Sequence, residues 1–113
     1  MFYFNAAANR VQKVHPKGLG MGISTEGVFA DNLEEQTLRY SAGDVFLFAT
    51  DGITEGRTTS NEEFGDVRLA SLLTSMAAEN AGEIRDHLLS AVKEFSGAAQ
   101  QHDDQTVVVV KAE

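Results

Sequence analysis

The chain opens with two short β-forming runs, residues 2–8 and 10–14, separated by Asn9 as a turn residue, a pattern that predicts a hairpin. Pro16 to Gly22 holds the only proline and glycines at 18, 20 and 22, which interrupt any regular element and predict a loop. Gly27 to Ala30 and Glu35 to Tyr40 read as two strands joined by a polar turn at Asp31 and Asn32, because Thr37 and Arg39 alternate with Leu38 and Tyr40. Ser41 to Asp44 is a tight turn into Val45-Phe46-Leu47-Phe48-Ala49, where every position is apolar or small. A strand apolar on both faces is expected in the middle of a sheet, covered on both sides.

From Asp66 the period changes. Leu69, Leu72, Leu73 and Met76 form the apolar stripe of a helix expected to end near Asn80. Asn80 followed by Glu83 has the form of a capping box, opening a second helix with Ile84, Leu88, Ala91 and Phe95 on one face, antiparallel to the first. After residues 97–101, the β-branched run from Gln105 to Lys111 predicts a last strand. No internal repeat, low-complexity tract or linker divides the chain. Its 113 residues, 42% of them hydrophobic, therefore suit one α+β unit spanning 1–113.

Composition narrows the chemistry. No run approaches the roughly 18 apolar residues of a membrane span, and the start lacks a basic segment and a cleavage site, so a cytoplasmic protein is expected. The absence of cysteine excludes disulfides and thiolate metal sites, leaving carboxylate, imidazole, carbonyl or water as ligands for a hard cation such as Mg or Mn. Nine Lys and Arg against seventeen Asp and Glu give a net charge of −8, which argues against a nucleic-acid partner.

Two acidic sites stand at the ends of predicted strands. Asp51 follows the apolar run directly, and Gly52 beside it carries no side chain to block the approach of a ligand to the backbone. An ordinary Asp-Gly turn gives the same pattern. Asp103 and Asp104 precede the final strand; their mutual repulsion is relieved by a divalent cation or by solvent. If the two strands are neighbours, Asp51 and Asp103 meet at one end of the sheet, an arrangement suited to metal-assisted hydrolysis. The other candidates are weaker. The Gly18 to Gly22 block has neither the leading strand nor the following helix of a nucleotide loop, Ser24 and Ser41 lack a nucleophile elbow, and His15, His87 and His102 lack zinc-site spacing.

Taken in order, Leu19-Gly20-Met21-Gly22-Ile23, the stretch from Ser41 through Thr50-Asp51-Gly52 to Glu55, then Phe64-Gly65 and Asp103-Asp104-Gln105-Thr106 resemble the C-terminal half of bacterial PPM (PP2C-like) serine/threonine phosphatases of the sporulation and sigma-regulation type. The resemblance runs from about Phe2 to Lys111. It implies a partial α-β-β-α sandwich with a mostly antiparallel sheet and an antiparallel helix pair. It also implies Asp51 and Asp103 as ligands of Mn or Mg, two ions in the complete site, with Gly52 and Asp104 near it and Thr106 structural. The implied partner is a phosphoprotein substrate such as an anti-anti-sigma protein of the STAS fold. Members of the family carry further acidic motifs before the part matched here, and nothing in this sequence supplies them. The Asn5 to Asn9 stretch looks like the family's Asn-Ala-Gly-His-Asn segment with Ala in place of Gly and His. Half a sandwich would leave an apolar sheet face, so a homo-oligomer is expected. The alternative function is a regulatory or binding module that keeps the fold without catalysis. A third reading is an unrelated α+β domain binding one Ca or Mg ion.

Overall fold

The structure, a computed structural model, describes residues 1–22 and 27–113; Ile23 of the glycine-rich block and Ser24 lie outside the described residues. Phe2–Asn5 (β1), Arg10–Lys13 (β2), Val45–Ala49 (β3) and Val107–Lys111 (β4) pair, antiparallel throughout, into one sheet of order β2-β1-β3-β4. The hairpin forms where expected, with Asn9 at φ 46° completing its turn, although Ala6 to Ala8 belong to the turn rather than to the strand. Val28–Asp31 (α1) and Asp51–Thr54 (α2) are single helical turns, whereas Gly65–Met76 (α3) and Ala81–Ser96 (α4) are full helices.

One face of the sheet builds the core. Phe2, Phe4, Val45 and Leu47 meet Leu69, Leu73 and Met76 of α3 and Ile84, Leu88 and Val92 of α4, all buried. The second helix stripe passes through Val92, with Ala91 and Phe95 only partly buried at its flank. Asn80 and Glu83 cap α4 reciprocally: the Glu83 amide donates to Asn80 Oδ1 at 2.9 Å, and the Asn80 amide donates to Glu83 Oε2 at 3.0 Å. Capping satisfies donors that the first helical turn otherwise leaves open. α3 stops at Met76, short of the expected end near Asn80, and Lys111 Nζ reaches over from β4 to satisfy the carbonyls of Ala77 and Glu79 beyond it, at 2.9 and 2.5 Å.

Two expectations fail. Residues 28–31 form a helical turn and 35–40 form no regular element, so the strand pair at 27–40 is absent. The alternation through Leu38 and Tyr40 is real, but among the described residues no strand lies beside it to take up its backbone hydrogen bonds, and a strand without a ladder is not stable. The second failure concerns β3. It is central in strand order but only partly covered on its second face: Val45 and Leu47 are fully buried and Phe46 is half-buried against Tyr3 and Tyr40, while Phe48 is 46% exposed, as are its β4 neighbours Val108 (51%) and Val110 (49%). The thinnest dimension of the fold, 20 Å, is that of one sheet under one helix layer.

Candidate functional site

The end of β3 and the beginning of β4 are joined by register, since Ala49 faces Val107. The segments running on from them, 50–52 and 103–106, therefore lie side by side. Thr50 clasps them: its amide donates to the Thr106 carbonyl at 3.1 Å, its hydroxyl donates to the Asp104 carbonyl at 3.0 Å, and the Thr106 amide donates back to that hydroxyl at 3.0 Å. Gln105 Nε2 adds a bond to the Gly52 carbonyl at 3.2 Å. Thr50 is extended, at ψ 164°, and turns the chain from strand into α2, so Asp51 occupies the first helical position and Gly52 the second.

Gly52 is buried. A β-carbon there would fall 2.3 Å from the Asp104 carbonyl oxygen and 3.2 Å from that of Asp103. The missing side chain thus makes room for the protein's own acidic loop. Asp51, Asp103 and Asp104 are exposed at this end of the sheet. Asp103 Oδ1 accepts from the Asp104 amide at 2.7 Å, which shapes the loop, while the Asp51 carboxylate makes no hydrogen bond among the described residues.

The oxygen donors suit a hard cation in type but not in number. Among the described residues no three His, Cys, Asp or Glu side chains are grouped to hold an ion. His102 is exposed beside the pair. Next to this end lies a cleft of about 890 Å³ between α2, the turn after it and the C-terminal half of α4, with Gly52 and Asp103 in its wall.

Sequence reasoning passed over one carboxylate. Asp44, read as a turn residue and as part of the stretch that resembles the family but not as a site residue, is 1% exposed. Its oxygens accept from Tyr3 Oη at 2.6 Å, the Ala6 amide at 2.8 Å and the Ser41 amide at 3.0 Å. Burial pushes its carboxyl upward, but these three donors outweigh that and hold it below the ordinary aspartate value. The bond to Asp44 raises the Tyr3 phenol in turn. The signal available was an acid immediately before a fully apolar strand, where only a hydrogen-bonded carboxylate is tolerable.

Asp44 fastens the 5–9 turn to the 41–44 turn, and register sets both far from the acidic loops: Phe4 faces Val45, at the opposite end of β3 from Ala49. The Ala residues at 7 and 8 therefore do not touch the Asp51 end.

A model of the stage II sporulation protein E (SpoIIE) family matches residues 1–113. The chain belongs to the SpoIIE family. It is similar to the SiaA-PP2C domain of Pseudomonas aeruginosa, with TM-score 0.76 and 18% identity over 99% of this chain and 43% of that one. It is also similar to the phosphatase domain of the cell fate determinant SpoIIE from Bacillus subtilis. The Mn-presoaked structure of that domain gives TM-score 0.68 and 24% identity over 99% of this chain and 45% of that one. A crystal form without domain swapping gives 0.58 and 31% over 97% and 44%. No curated protein matches the chain. The fold is thus that of PP2C phosphatase domains, and the chain spans less than half the length of the SpoIIE and SiaA structures it matches. The four-stranded antiparallel sheet with its paired helices is the part of the expected sandwich that this chain carries.

Proposed function

We propose that this chain supplies one part of a metal-dependent protein serine/threonine phosphatase site, with Asp51 and Asp103 as ligands of Mn or Mg and Asp104 orienting the loop. The observation that carries the reading is the Thr50 clasp, which fastens the two acidic segments together at one end of β3 and β4. A bound ion pair would supply a water acidified toward neutrality for attack on a phosphate ester. The chain's own contribution is to hold two carboxylates at a rigid strand end, with Gly52 admitting the loop that carries the second. Further ligands must come from groups beyond the described set.

The substrate in this reading is a phosphoprotein, of which a STAS-fold anti-anti-sigma protein in the cytoplasm is the proposed example. Among the described residues, no helix is long and apolar enough to cross a membrane. The bare face formed by Phe48, Val108 and Val110 is proposed as the surface through which copies of the chain associate. The shortage of grouped ligands favours a second reading, a non-catalytic regulatory or binding module.

Manganese-dependent hydrolysis of a phosphate ester by the chain, beside Asp51→Asn and Asp103→Asn variants, separates the two. Turnover lost in both variants supports the phosphatase site; absence of turnover in all three, with no manganese bound, leaves a fragment of that site or the binding module.

A further inference from the structure

Most of the side chains that line the cleft beside the acidic loops are polar. Asn61, Ser96, Gln100 and Gln101 line it, over an apolar contribution from Leu89. Sites for apolar ligands are lined mainly by hydrophobic and aromatic side chains. Amide and hydroxyl groups match instead the alternating N–H and C=O groups of an extended peptide. Gln101 spends only its Nε2 internally, on the Asp103 carbonyl at 2.8 Å, which leaves its amide oxygen to accept.

Two cations of this strongly acidic chain also stand in the cleft, and they differ in state. Arg57 is committed to its own turn, donating to Asn61 Oδ1 at 3.1 Å and Glu63 Oε1 at 2.5 Å. Lys93, exposed in the last turn of α4, makes no ion pair among the described residues. It presents three donors on a flexible stem. Glu55 and Asp103 make other parts of the wall unfavourable to an acid, so attraction for a carboxylate is confined to the α4 side.

We infer that this cleft takes the peptide segment flanking the phosphorylated residue, and that Lys93 selects an acidic side chain in that segment. The inference rests on the phosphatase-site reading and narrows its substrate class to phosphoproteins with an acid near the phosphorylated position. The cleft adjoins Gly52 and Asp103, so a chain running along it passes the acidic loops directly.

The test uses two fluorescently labelled phosphoserine peptides of equal length, one with Glu and one with Lys at the flanking positions, followed by anisotropy. Wild type is compared with Lys93→Gln and with Arg85→Gln, which removes the same charge from α4 outside the cleft. The ratio of the two affinities is expected to fall threefold to fivefold in Lys93→Gln, about the worth of one partly exposed ion pair, and to stay unchanged in Arg85→Gln. Equal ratios in all three proteins, equal effects of the two substitutions, or no binding of either peptide at millimolar concentration would overturn the inference. Manganese binding is measured in the same samples and the peptide titrations are repeated in EDTA. Bound manganese with no flank preference sinks the cleft assignment alone, whereas absent manganese with the preference intact removes a manganese site from this chain and leaves the cleft assignment standing.

Discussion

Gly52 is the residue on which the candidate site's assembly depends most directly, and replacing it with Ala gives a quantity to measure. The added β-carbon meets backbone atoms of Asp104 at 2.3 and 2.9 Å and the Asp103 carbonyl oxygen at 3.2 Å, so no side-chain rotation relieves the overlap. Overpacking of this kind costs about 1–3 kcal/mol. Retreat of the loop would also break the two hydroxyl bonds of Thr50, at about 1 kcal/mol each. Against this, Ala is a better helix former than Gly by up to about 1 kcal/mol. The net is about 2–4 kcal/mol of destabilisation. With an unfolding entropy of roughly 0.24 kcal/mol/K for 113 residues, that lowers the melting temperature by about 8–17 °C.

A matched control lies in the same chain. Gly82 is also the second residue of a helix, but a β-carbon there approaches only Asn80 Oδ1, at 3.3 Å. Gly82→Ala is therefore expected to be neutral or stabilising by up to about 1 kcal/mol. Thermal and urea unfolding of both variants isolates the contact from helix propensity. If Gly52→Ala and Gly82→Ala shift stability equally, the packing of the 103–104 loop against α2 is not what requires glycine.

Asp44→Asn places an amide nitrogen among three donors and should cost about 2–3 kcal/mol near neutral pH. Because the folded carboxyl lies below its ordinary value of 3.8, its contribution is complete above that value and is lost as pH falls through the folded one. The gap between wild type and Asp44→Asn in urea midpoint must therefore narrow on acidification; a constant gap refutes the assignment. On the bare sheet face, Val108→Lys combined with Phe48→Lys should shift light-scattering mass toward monomer with only a small change in melting temperature, since both side chains are half exposed. An unchanged mass in the variant, or a monomeric wild type at high micromolar concentration, would remove self-association through this face.

The elements that the sequence discloses are those whose stabilising partners are local or numerous. The capping box at Asn80 and Glu83 closes within one turn, and the Leu69, Leu73 and Met76 stripe needs only some apolar surface beneath it. Residues 35–40 show the opposite case. Their alternation is as clear as that of a strand, yet strand formation is decided by a neighbour, and β1 already has β2 and β3 on its two sides. The full apolarity of β3 misleads for a related reason: it reports that both faces are suited to burial, not that this chain provides two covering layers.

The site divides along the same line. Asp51 and Asp103 stand out in the sequence because each acid ends or precedes an apolar strand, but their relation depends on β3 and β4 being neighbours in one particular register, which alternation alone does not give. The reason for Gly52 was equally hidden. An Asp-Gly pair suggests an open approach for a ligand, whereas the space is filled by the Asp104 carbonyl, more than fifty positions away in sequence. Thr50, absent from the candidates, is the residue that converts register into a site, since its amide and hydroxyl together make three bonds across the gap. A polar residue between an apolar strand and an acidic turn is the pattern to look for: it is positioned to fasten whatever the neighbouring strand brings, and here it brings the second carboxylate.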